Sequence, residues 1–160
     1  MVRLPYERTG KLLKELFAAY GFSPEDSAVI TDCLLAADLA GVESHGIQRM
    51  IRYDEAIKCK MVDVSAEPET VFETLLSAVI DARRAMGQLV SCRAMRTAIG
   101  KAKASGVGMV TVRNSNHFGI AGYYARMAAR EDLIGVAMTN SEAIMVPTNA
   151  RKAMLASELV

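Results

Sequence analysis

The stretch VGMVTVRNSNHFGIAGYYARMAAREDLIGVAM, residues 107–138, decides the fold. Residues 107–112 form an unbroken apolar and β-branched run of strand length, the composition of a strand covered on both faces in a parallel sheet. The polar block Arg113-Asn114-Ser115-Asn116-His117 follows, residues 119–131 return to helical spacing, and residues 133–138 read as a further strand. Strand, polar loop, helix and strand in that order predict an α/β architecture. In such folds, ligands gather where the carboxyl end of a strand meets the N-terminus of the next helix.

The same reading extends outward on both sides. Residues 85–105 carry apolar side chains at helical intervals and lead into Gly106, and residues 69–76 and 77–81 read as strands. Residues 59–68, CKMVDVSAEP, are polar, aperiodic and close on a proline, which marks a connection. Before it lie three helical patterns. Leu12, Leu13, Leu16, Phe17 and Tyr20 form the stripe of the first. Ser23-Pro24-Glu25-Asp26 is a cap, a first-turn proline and two dipole-matched acids opening the second. The third runs from Gly46 to about Lys58 with Ile47, Met50 and Ile51 as its apolar ridge. The expected organisation is an N-terminal helical segment, residues 1–66, followed by an α/β segment, residues 67–160, carrying the His117 loop.

Composition removes whole classes of function. The chain of 160 residues has 19 basic and 18 acidic side chains, a net charge of +1, so neither nucleic acid nor an anionic membrane is expected as partner. Its three cysteines are odd in number and lack a CxxC pair, against both a disulfide framework and a zinc knuckle, and they point to a reducing, cytoplasmic location. No apolar run approaches the length of a membrane span, and the N-terminus has no signal-peptide pattern. There is no GxGxxG, GxxxxGK[ST] or GxSxG motif, so a Rossmann dinucleotide site, a P-loop and a hydrolase elbow are unsupported. No metal site is expected.

Two histidines make the search for acid–base chemistry short. His45, Arg49, Arg52 and Tyr53 fall at i, i+4, i+7 and i+8 of the third helix, a stripe on one face. Such a face is either a solvated basic surface with His45 as a cap, or a site where a guanidinium fork grips a carboxylate beside a proton-carrying imidazole. His117 lies in the polar loop that the fold reserves for ligands, although Asn and Ser are also ordinary turn residues. It is expected to be the principal proton-transfer residue, a neutral imidazole acting as acceptor, its tautomer fixed by Asn114, Ser115 and Asn116, with His45 second. Residues 139–142 form a second loop of similar character.

At ESHGIQRMIRY (residues 43–53), AMGQLVSCRAM (85–95) and RNSNHFGIAGYYARMAAREDLIGVAMTNS (113–141), the sequence resembles the type-2 malate/L-lactate dehydrogenase family. The resemblance implies a cytoplasmic, homo-oligomeric oxidoreductase with a non-Rossmann fold. It would transfer a hydride between NAD or NADP and the C2 carbonyl or imine of a small 2-oxo or 2-hydroxy carboxylate. By motif position, His45 and His117 match the family's proton-transfer candidates. Ser44 and Arg49 match substrate-side residues, which Tyr53 joins on the same stripe, and Ser141 matches a cofactor contact. Members of the family are longer than this chain, and their second half supplies part of the cofactor site. The polar, glycine-rich stretch before their GQ is here Asp81-Ala82-Arg83-Arg84-Ala85-Met86. The alternative expectation is therefore a non-catalytic, truncated remnant that folds and self-associates.

Overall fold

The computed structural model describes residues 4–159, and of residues 141–145 and 155–159 the backbone alone. Helix α1, Tyr6–Ala19, and helix α2, Pro24–Leu39, lie against each other. The turn between them is sharp because Ser23 caps α2: its Oγ accepts the Asp26 amide at 3.0 Å, with Pro24 at the first helical position. Two short 3₁₀ turns, Glu43–His45 and Ile47–Arg49, lead into α3, Met50–Lys58. Strand β1, Glu69–Glu73, pairs antiparallel with β2, Ser77–Asp81. Helix α4, Gly87–Ser105, then crosses over to β3, Met109–Arg113, which pairs parallel with β2. Helix α5, Ala121–Ala129, follows, and β4, Met138–Met145, pairs antiparallel with β5, Leu155–Leu159, in a separate two-stranded sheet. The chain is mixed α/β. No helix among the described residues is long and apolar enough to cross a membrane.

The core comes in adjoining parts. Phe17, Phe22, Ile30, Leu34, Tyr53, Val62 and Met86 bind the three N-terminal helices to the connection and to the head of α4. Phe17 and Phe22 meet edge to face with centroids 6.0 Å apart. Ile80, Ala82, Ala85, Val90 and Ala94 fix α4 on the sheet, with Val110 and Val112 of β3 against them. Cys33, Cys92 and Tyr124 tie α2, α4 and α5 together, both thiols free and buried.

Several local expectations are corrected. Strand 69–76 stops at Glu73, because Thr74 Oγ1 accepts the Leu76 and Ser77 amides and turns the chain. Residues 133–137 are not a strand. They have no ladder partner among the described residues, Leu133 donates its amide to Ala128 O at 3.1 Å, and Ile134 is 97% exposed. The strand in that region is β4, which begins at Met138. In α1 only Leu13 and Phe17 of the predicted stripe are buried, while Leu12 is 63% exposed. Ile51, expected on the ridge of the third helix, is 71% exposed, and the buried residue of α3 is Tyr53.

Candidate active site

His45 and His117, far apart in sequence, stack with ring centroids 5.2 Å apart and an interplanar angle of 28°. Each reaches this position for local reasons. His45 closes the 3₁₀ turn Glu43–His45, its amide donating to Val42 O at 3.0 Å. The following Ile47 amide donates to the Asp38 carboxylate of α2 at 2.9 Å, which satisfies a first-turn donor and pins this turn to the helix before it. His117 sits in the loop after β3, and that loop is held from below. Asn114, at φ 54°, donates from Nδ2 to both Asp81 oxygens at 3.0 and 2.9 Å. Asn116 Nδ2 lies within 3.0–3.3 Å of the Met61, Arg84 and Ala85 carbonyls. Gly87 presses on the loop from α4: a Cβ there would lie 2.4 Å from both the Asn116 and His117 carbonyl oxygens, so any side chain would have to displace the loop.

The partners of His117 are not its loop neighbours. Nδ1 lies 2.8 Å from Tyr53 Oη and 3.3 Å from the Gly119 amide nitrogen. Gly119, at φ 83°, turns its N–H back toward the ring in a backbone conformation that disfavours side chains. Behind Tyr53, Gln88 Nε2 donates to the phenol oxygen at 2.7 Å. Gln88 is fully buried, and its Oε1 has no hydrogen-bond partner among the described residues. The expectation that Asn114, Ser115 and Asn116 orient the imidazole is thus corrected: Asn114 ties the loop to the Asp81 carboxylate, Asn116 ties it to backbone carbonyls, and among the described residues Ser115 Oγ donates to Asn116 O.

Charge is concentrated on one side. His117 has its pKa pushed down to about 4, first by desolvation on burial and then by the positive charges of Arg49, His45 and Arg52. His117 is nevertheless exposed to solvent as a whole residue. Burial raises the Tyr53 phenol well above its ordinary range, so it stays protonated. Arg49 folds back over the turn, Nε donating to Ser44 O at 2.5 Å, and Ser44 Oγ lies 2.9 Å from His45 Nδ1.

Of the residues singled out in the sequence, His45, Ser44, Arg49, Tyr53 and His117 therefore come together. The single helical stripe does not exist as such, because α3 begins only at Met50 and His45 belongs to the preceding turn. Arg52 is exposed and acts on His117 through its charge. Ser141 falls on β4, with its side chain outside the described residues. Gln88 was missed. It stands in the AMGQLVSCRAM stretch at the start of α4, where a glutamine in the first turn of a helix carries no chemical signal until its buried partner is seen. Arg83 and Arg84 both take left-handed backbone, at φ 49° and 66°. Arg83 pairs with Glu69, and Arg84 lies 3.8 Å from Asp63 and donates to Lys60 O at 3.1 Å.

The malate/L-lactate dehydrogenase family model matches residues 4–158. Malate dehydrogenase of Pyrococcus horikoshii is 42% identical over 154 residues, 96% of this chain and 43% of that protein. L-sulfolactate dehydrogenase of Methanocaldococcus jannaschii is 40% identical over 149 residues, covering 93% and 43% of the two chains. The solved structure of the P. horikoshii OT3 malate dehydrogenase superposes with a TM-score of 0.95 at 41% identity, over 99% of this chain and 46% of that one. The chain spans less than half the length of the curated relatives it matches.

Proposed function

The chain belongs to the malate/L-lactate dehydrogenase family, and from that premise we propose that the protein is an oxidoreductase acting at C2 of a small 2-oxo or 2-hydroxy carboxylate. The observation that carries this reading is the stacked pair of imidazoles at 5.2 Å beside the Arg49 guanidinium. Carbonyl reduction needs two things from the protein: a cation to hold the carboxylate, and a group that supplies a proton to the oxygen as C2 gains its hydride. Arg49 offers the first, a fixed fork of donors suited to a carboxylate, with the exposed Ser44 hydroxyl beside it. His45 and His117 offer the second. In oxidation the same pair withdraws the proton from the alcohol oxygen as the C–H bond breaks.

When bound, a nicotinamide supplies or takes the hydride. The described donor set fits the carboxylate and oxygen of the other reactant, and no glycine-rich phosphate loop occurs in the chain, in keeping with a cofactor held outside a Rossmann frame. Ser141 is proposed to contact the cofactor, which is NAD or NADP. The protein is further proposed to act in the cytoplasm as a homo-oligomer, a reading supported by its exposed apolar side chains, Leu12, Phe72 and Ile134 among them.

The decisive experiment follows NADH and NADPH oxidation by their absorbance with a panel of 2-oxo acids including oxaloacetate and pyruvate. Turnover with at least one acid, abolished in the His45→Ala, His117→Ala double variant, is expected. Inertness toward the whole panel, with no binding of a 2-oxo acid analogue such as oxamate, would overturn the proposal in favour of a folding or self-association module.

A further inference from the structure

We infer that Gln88 is a positioning residue: acting through Tyr53, it holds the proton of the His117 ring on Nε2, so that His117 faces its ligand as a hydrogen-bond donor. The direction of the chain follows from its two ends. A backbone amide can only donate, so the Gly119 N–H 3.3 Å from Nδ1 requires an unprotonated Nδ1. Tyr53 Oη, 2.8 Å from the same nitrogen, must then donate to it. A phenol has one proton, so its oxygen is left to accept, and the group 2.7 Å away on the other side is the Gln88 amide nitrogen, a donor. Gln88 to Tyr53 to His117 is therefore a one-way relay, and a neutral imidazole whose Nδ1 accepts carries its hydrogen on Nε2.

Burial makes the relay matter. Gln88 and Tyr53 are 0% and 3% exposed, so losing either partner leaves a desolvated polar group behind. Gln88, on α4, reaches the ring through the Tyr53 phenol of α3. Its Oε1 is buried with no hydrogen-bond partner among the described residues. His117 presenting Nε2–H suits the developing oxyanion at C2, and net proton transfer then falls to His45. This catalytic consequence rests on the oxidoreductase reading. The tautomer itself does not.

The test is nitrogen NMR of the full chain with labelled histidine, which gives two imidazoles to assign. Wild type should show a pyridine-like Nδ1 and a pyrrole-like Nε2 at His117 near neutral pH. Gln88→Met keeps the volume and removes the orphan acceptor, so the fold should tolerate it. With the donor gone, the phenol oxygen is free to accept from Nδ1–H, and the minor tautomer should gain about five- to tenfold in population, drawing the Nδ1 resonance toward the protonated value. Tyr53→Phe should move it the same way. A wild-type ring protonated on Nδ1, or an Nδ1 resonance unmoved in both folded variants, overturns the inference, and the wild-type spectrum decides the polarity even if neither variant folds. In active protein, Gln88→Met should lower kcat about tenfold with KM for the 2-oxo acid nearly unchanged, since Arg49 is untouched. An inert chain that shows the expected tautomers would defeat the oxidoreductase reading alone.

Discussion

At the scale of the residue, the guanidinium of Arg49 and the two imidazoles divide the work of the proposed reaction. A bidentate, charge-assisted contact contributes roughly 1.5–3 kcal/mol, and lysine cannot reproduce its fork. Arg49→Lys should therefore weaken oxamate binding by roughly ten- to a hundredfold, read by calorimetry, while the fold is unaffected because the side chain is only half-buried. Unchanged affinity would remove Arg49 as the carboxylate clamp. Single replacement of His45 or His117 by alanine should each lower turnover by roughly 10²–10⁴-fold. If one variant keeps near-normal turnover, that histidine is structural and the other carries the proton alone.

At the scale of the element, the site depends on how α4 begins. Gly87 is in van der Waals conflict with any Cβ at the very carbonyls that flank His117. Gly87→Ala must push the loop away from α4, and displacements near 1 Å in such a site typically cost about 10²-fold in rate. The expected outcome is a folded protein whose His117 resonances shift and whose turnover falls by that order, measured side by side. A second support is Asp38, whose carboxylate caps the turn that follows His45. Asp38→Ala frees the Ile47 amide and should destabilise by about 1 kcal/mol in urea unfolding, with the midpoint moving and the slope constant.

At the scale of the molecule, titration couples the site to stability. An unfolded histidine titrates near pH 6.5, whereas folded His117 titrates at about 4. Between those values the unfolded chain binds the extra proton, so stability rises with pH across that window and is level above it. The carboxylates act in the same sense at the lower end. Asp54 is held below the ordinary range by its hydrogen bond from Lys58, Asp63 by Ser65, and Asp81 by the Arg83 amide, and what they contribute is lost as they protonate. The melting temperature should fall steadily from pH 7 to pH 4.5, and a maximum below pH 5 would contradict this account. Exposed apolar side chains on α1, β1 and the segment before β4 should make sedimentation depend on protein concentration. A single monomeric species at all concentrations would count against self-association.

What the sequence determined by itself were the features written in short-range patterns. Hydrophobic periodicity and cap chemistry placed α1, α2, α4 and β2 close to where they lie, because Ser23, Pro24 and the apolar spacing act within a few residues of themselves. The polar loop at His117 was legible because a strand-to-helix junction leaves donors and acceptors that need partners. Three things waited for the tertiary structure. Whether residues 133–137 form a strand depends on a neighbour to complete the ladder, and the exposed Ile134 shows that an apolar run alone does not provide one. The meeting of His45 with His117 depends on the packing of Tyr53 into the core under α4, a contact between distant segments. The relay from Gln88 depends on a buried amide finding a phenol, and hydrogen bonds of that kind are set by what surrounds a side chain after folding, which no spacing along the chain encodes.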